Sequence, residues 1–170
     1  SRDDKSGELE FDIGELVDWL DVVRGPVFLL GTAFAFVNFF DACDLTWQLP
    51  AGSRVLETGG LKGRTREVTR DELYGLFTDR FGIPVTHALS EYSMTELSSQ
   101  AYTETLQQGV PWQEARFRTP PWAKVEVVDP ITMDVLDTPG ARGLLRWYDL
   151  ANLDSVAAIQ TSDMGIKHAD

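Results

Sequence analysis

Glu91-Tyr92-Ser93-Met94-Thr95-Glu96-Leu97-Ser98-Ser99-Gln100 follows the run Val85-Thr86-His87-Ala88-Leu89 after a single serine, Ser90. The upstream run is apolar and β-branched and reads as a buried strand over 85–89. Ser90 or Ser93 is placed to cap a helix that begins near Met94. Parallel α/β folds hold ligands at such strand–turn–helix junctions, because loops at the carboxyl ends of strands meet helix N-termini there. The turn offers an aromatic face (Tyr92), a hydroxyl (Thr95) and a carboxylate (Glu96). These suit stacking on a base, holding a phosphate oxygen and ligating a divalent cation. Taken locally, the same residues also suit an ordinary turn, where Thr and Glu are favoured at a helix start.

Working back from this stretch, the chain alternates. Phe11, Ile13, Leu16, Val17, Trp19 and Leu20 recur at helical spacing. Val27 to Gly31 reads as a buried parallel strand. Ala33 to Leu45 reads as a helix with Phe34, Val37, Phe40 and Phe36 inward, and one or two of Phe28, Phe34, Phe36, Phe39 and Phe40 are candidates to line an acyl pocket. Arg54 to Thr58 is the next strand. It ends in Gly59-Gly60-Leu61-Lys62-Gly63, whose glycines permit unusual φ and close approach of a flat ligand, or simply make a flexible loop. Thr69 or Thr65 caps a helix from Arg70 to Phe81, with Leu73, Leu76, Phe77 and Phe81 on one face.

Strand, helix, strand, helix, strand, helix predicts a mostly parallel sheet with right-handed crossovers. Gly59-Gly60 and Glu91-Tyr92 then end neighbouring strands at one sheet edge. With strands about 4.8 Å apart, a planar ring fits between the two loops. Beyond Gln108-Gly109 the pattern changes to rigid Pro/Trp connections and short β-like runs at Lys124–Val128, Gly143–Asp149 and Val156–Thr161. Turns are expected at Asp129-Pro130 and Asp137-Thr138-Pro139-Gly140. The expected organisation is therefore an α/β class with two parts. Residues 1–120 form a partial nucleotide-binding subdomain with flanking helices, and 121–170 a small β-rich subdomain.

The totals narrow the classes. The 170 residues are 43% hydrophobic and 25% charged, a globular balance. A formal net charge of −12 argues against broad nucleic-acid or anionic-membrane binding. A single cysteine, Cys43, excludes an internal disulfide, and two scattered histidines with it make no standard zinc site. Cys43 reads as buried and inert, His87 as a core or ligand-facing residue, His168 as exposed. No apolar run approaches a membrane span and no signal peptide is visible, so a cytoplasmic protein is expected. Lys62, Arg64, Arg66 and Arg70 cluster locally, either as a solvated basic loop and helix cap or as a rim that attracts phosphate.

Four elements recur in a distinctive order. They are Gly59-Gly60, then Glu91-Tyr92-Ser93-Met94-Thr95-Glu96, then Asp129-Pro130 with Gly140 and Gly143-Leu144, then Thr161-Ser162-Asp163-Met164-Gly165. The ordered set resembles the adenylate-forming (acyl-activating) superfamily. Within it, the chain looks most like the acyl-protein synthetases of bacterial luminescence, with the phenylacetate–CoA ligases as near relatives.

The resemblance implies the central part of such an enzyme's large domain and a set of roles. Gly59, Gly60 and Leu61, at the end of one strand, and Tyr92, beside Glu91 at the end of the next, would sandwich adenine. Thr95 would bond the α-phosphate and Glu96 would ligate magnesium, making these two the candidate catalytic residues. Asp163 would hold the ribose hydroxyls, which a carboxylate accepts well. The implied cofactors are ATP or AMP and Mg²⁺. The implied partners are a small-molecule carboxylic (fatty) acid and a thiol acceptor. Ser93 stands where the family usually has glycine. The family's phosphate loop and its C-terminal domain with a catalytic lysine are not found, and Lys167 follows the ribose motif too closely to be that lysine. The expectation is a fragment or short form that binds AMP or ATP but is catalytically incomplete, completed by flanking domains or a protein partner. The alternative is a non-catalytic binding module that keeps the fold and uses Trp112, Trp122 and Trp147 as anchors.

Overall fold

The computed structural model describes residues 12–59 and 68–169. In chain order the elements are α1 (Ile13–Val22), β1 (Phe28–Thr32), α2 (Ala33–Ala42), β2 (Arg54–Thr58), α3 (Arg70–Phe81), a 3₁₀ turn (Val85–His87), β3 (Ala88–Tyr92), β4 (Ala101–Thr103), α4 (Thr105–Gln108), β5 (Phe117–Arg118), β6 (Ala123–Val128), β7 (Arg142–Asp149) and β8 (Ala158–Ile166). Five strands form a sheet in the order β1-β2-β3-β4-β5, with β1–β2 and β2–β3 parallel. The other three form an antiparallel sheet in the order β6-β7-β8. This is the expected α/β class with a mostly parallel sheet, flanking helices and a smaller β-rich part. The chain divides into two compact units. One runs to Glu91 and includes Thr103–Arg116; the other combines Tyr92–Tyr102 with the chain from Phe117 onward.

In the first unit each long helix begins where a short polar side chain can take an orphan amide. Asp12 accepts from Glu15 N at 3.0 Å, Thr32 from Ala35 N at 3.0 Å, and Thr69 from Glu72 N at 3.2 Å. Helix α3 ends at Gly82, whose φ of 67° is the left-handed conformation that closes a helix without Cβ strain. The buried faces are aromatic. Phe36, Phe39, Phe40, Tyr74, Phe77 and Phe81 interlock with ring centroids 5.0–6.0 Å apart, largely edge-on or tilted, as ring quadrupoles favour. Phe34, expected inward, is only half-buried, and Phe39 takes that place.

The structure corrects three expectations. Residues 85–89 are not one strand: a 3₁₀ turn follows Pro84, and the strand is Ala88–Tyr92. Proline fixes φ and lacks an amide, so pairing with β2 starts only at Ala88. No helix starts near Met94. After Tyr92 the chain makes one turn, with Leu97 N donating to Met94 O at 3.1 Å, and then returns as β4. Asp149 captures the amides of Ser98 and Ser99, so they cannot propagate a helix. Strand β1 is not buried on both faces either, for Phe28 is 59% and Leu30 66% exposed.

In the second unit, β7 is the central strand. Trp147 sits on it between Val125 of β6 and Ile159 of β8, and is only 2% exposed. Gly143 lies where β7 passes the backbone of Val128 so closely that any Cβ would overlap the Val128 carbonyl. The turn at Asp129-Pro130 forms as expected, with Asp129 Oδ1 accepting from Ile131 N and Thr132 N. Among the described residues no helix is long and apolar enough to cross a membrane.

Candidate functional site

In the first unit, β2 and β3 finish side by side with Thr58 opposite Glu91. Thr58 Oγ1 donates to Glu91 Oε1 at 2.9 Å, tying the two strand ends together. Gly59 follows at φ 80°, with open space where a side chain would be. Gly60, Leu61 and the cationic Lys62, Arg64 and Arg66 lie outside the described residues. Arg70 is not a free rim cation. Its guanidinium is 3.5 Å from Glu57 Oε1 and 5.3 Å from the Trp112 ring centroid. Glu57 is almost fully buried, and burial raises its carboxyl pKa against the opposing hydrogen bond from Ser90 and charge of Arg70.

The second unit brings together two predicted residues that are distant in sequence. Tyr92 Oη donates to Asp163 Oδ2 at 2.7 Å, a short, charge-assisted bond. The indole of Trp147 lies behind the phenol ring, with centroids 5.3 Å apart and planes within 1° of parallel. Phe117 meets the ring edge-on at 6.3 Å. Burial, and next the Asp163 carboxylate, push the Tyr92 phenol well above its usual pKa, so it remains a donor at neutral pH.

A register shift in β8 supplies the acid. Leu144 pairs with Met164 and Arg146 with Gln160, so Leu145 alone faces Thr161, Ser162 and Asp163. Such a bulge re-aims side chains locally. Thr161 Oγ1 donates to Leu145 O at 3.0 Å and accepts from Asp163 N at 3.2 Å, fixing the bulge.

Thr95 and Glu96 sit on the exposed turn between Met94 and Leu97. That turn is pinned from behind. Asp149, fully buried, accepts from Ser98 N (3.0 Å), Ser99 N (2.8 Å), Ser99 Oγ (2.8 Å) and Ala151 N (3.0 Å). Burial alone would raise its pKa, but the bonds from the Ser99 side chain and the Ala151, Ser99 and Ser98 amides outweigh it and hold the value below normal. Asn152 Nδ2 donates to the Glu96 carbonyl at 2.8 Å. The Glu96 carboxylate is exposed and makes no hydrogen bond to the described residues. One such carboxylate fits magnesium, which takes one or two from protein and completes its shell with phosphate oxygens and water.

The anchors proposed for a binding module fare differently. Trp147 is buried, which corrects that expectation, and Trp112 is half-buried with Nε1 donating to Asp71 at 3.1 Å. Only Trp122 is exposed, at 52%. Cys43 is buried and free. Phe36 and Phe39 line a cavity of about 430 Å³ with Leu16, Leu20, Leu29 and Phe81. Sequence reasoning missed Asp149 and the inward, ring-backing role of Trp147. Their signal was the alternation of β7, which turns both inward.

No family model and no curated protein matches the chain. Solved structures do match. An ATP-bound RpMatB-BxBclM chimera aligns with a TM-score of 0.64 at 15% identity, over 94% of this chain and 31% of that one. An o-succinylbenzoate CoA synthetase (MenE) from Bacillus subtilis, bound to a product analogue, aligns with a TM-score of 0.61 at 14% identity, over 95% and 32%. McyG A-PCP, complexed with phenylalanyl-adenylate, gives 0.59 at 14%, over 91% and 31%. The chain shares the fold of the matched part of these structures. The chain spans about a third of the length of these structures.

Proposed function

We propose that this chain is the nucleotide-holding portion of an enzyme that activates a carboxylic acid with ATP. The carboxylate attacks the α-phosphorus to give acyl-AMP and pyrophosphate, and the acyl group then passes to a thiol. In this reading Tyr92 stacks on adenine, Asp163 accepts the ribose hydroxyls, Thr95 bonds the α-phosphate and Glu96 holds magnesium. When bound, magnesium would neutralise charge on the phosphates. The chain's own residues contribute positioning and preorganised polar groups. The observation that carries the reading is the 2.7 Å bond from Tyr92 to Asp163. It joins two motifs 71 residues apart that the resemblance assigns to one nucleotide.

A luminescence-type acyl-protein synthetase acting on a fatty acid is the finer form of the proposal. The apolar cavity beside Phe36 and Phe39, about 430 Å³, supports it, because that volume lies in the range of small-molecule pockets. Calorimetric titration with AMP, and with ATP plus Mg²⁺, tests the nucleotide reading. Wild type is expected to bind weakly and Asp163→Ala more weakly still. Identical heats for the two proteins would refute it. ATP–pyrophosphate exchange by the chain alone is expected to be poor or absent, and robust exchange would refute its catalytic incompleteness.

A further inference from the structure

The residues around Asp163 form a rigid relay. Trp147 is held on both sides by β6 and β8 and is 2% exposed. Its indole Nε1 is buried without a hydrogen-bond partner among the described residues. What the indole does provide is a flat wall, parallel to the Tyr92 ring within 1°. The ring plane being set by Trp147 and the edge by Phe117, the phenol oxygen has little freedom, and it reaches one oxygen of an otherwise exposed carboxylate. A carboxylate has about four acceptor sites, so this bond orients Asp163 and leaves the Oδ1 edge open.

We propose that Tyr92 Oη, backed by Trp147, is a positioning group that aims the Asp163 carboxylate at two vicinal hydroxyls, so that base stacking and ribose recognition are set as one unit. This rests on the nucleotide reading above. The ligand class it names is a ribonucleoside monophosphate, or its acyl phosphate anhydride, with both ribose hydroxyls intact. Tyr92 therefore acts in two ways: its ring bears the base, and its hydroxyl acts through Asp163 on the sugar.

The test compares AMP with 2′,3′-dideoxy-AMP by calorimetry or ligand-observed NMR titration of the full chain. Wild type is expected to prefer AMP, and Asp163→Ala to lose that preference. Tyr92→Phe keeps the ring but not the donor. It is expected to bind dideoxy-AMP within about twofold of wild type and AMP about tenfold more weakly, the scale of one lost charge-assisted hydrogen bond. Trp147→Phe is expected to weaken both ligands together, since it loosens the ring. If wild type discriminates, Asp163→Ala does not, and Tyr92→Phe discriminates as wild type does, the positioning role is overturned while the nucleotide reading stands. If wild type shows no preference, both fall.

Discussion

Asp149→Asn isolates what holds the Thr95–Glu96 turn in place. The carboxylate uses both oxygens: Oδ2 takes Ser98 N and Ser99 N, and Oδ1 takes Ser99 Oγ and Ala151 N. An asparagine keeps one acceptor oxygen, so its NH₂ faces either the Ser98 and Ser99 amides or the Ala151 amide and the Ser99 hydroxyl, and of these only the hydroxyl can turn to accept. In the less costly orientation one amide loses its charged acceptor, at about 1.5–3 kcal/mol, and the bonds that remain lose the assistance of the charge. A destabilisation of about 3 kcal/mol is expected, large for one isosteric change. Hydrogen exchange reads it locally: the Ser98 and Ser99 amides should exchange about 100-fold faster than in wild type. The pH dependence fixes the cause. The folded carboxyl has a depressed pKa, so its contribution is present above the unfolded value of about 3.9 and disappears as pH falls through the folded one. The gap between wild type and Asp149→Asn should therefore close in acid, below about pH 4. A gap that persists unchanged at low pH, or amide protection equal to wild type, would refute a charge-based pin.

Other perturbations follow from the same geometry. Gly143→Ala drives a Cβ into the Val128 carbonyl, so β6–β7 pairing should weaken by about 2 kcal/mol or more; Gly109→Ala, with φ 65° but open space around it, should cost only about 1 kcal/mol, and urea melts separate the two. Phe77→Ala removes a fully buried ring that meets Phe36, Phe40 and Tyr74, and a loss of about 3–5 kcal/mol is expected in the same assay. Glu57 has a raised pKa because it is buried. Its contribution is therefore greatest below its unfolded value of about 4.3 and is lost as pH rises through the folded value; Glu57→Gln should flatten that segment of the stability–pH curve.

How far the chain could be read without coordinates depended on where the forces were local. Arg54–Thr58 and Arg70–Phe81 were legible to the residue, because the short apolar run bounded by glycines, the Thr69 cap and the Gly82 stop all lie in or next to the segment they define. Val85–Leu89 was not, since Pro84 spoils pairing for the residues after it while leaving their β-branched composition unchanged. The helix expected after Tyr92 failed for a long-range reason. Ser98 and Ser99 look like residues free to join a helix, but their amides belong to Asp149, 50 or more residues away. No propensity in the window contains that competitor.

The site divides in the same way. Tyr92 and Asp163 were legible as residue types in motifs, and the structure joins them through the β8 bulge. The parts that aim them were invisible, because a sequence does not show which tryptophan of five faces which tyrosine. Burial settles it: an exposed Trp147 would have been an anchor for a partner, whereas a buried one, parallel to Tyr92, can only act inward. The same residue thus argues against the binding-module reading and supplies the wall for the nucleotide reading. The two alternatives therefore do not need separate experiments. A change at Trp147 that leaves nucleotide affinity untouched would remove the wall's purpose, and a change that weakens it would tie a core residue of the β-sheet to the chemistry at its edge.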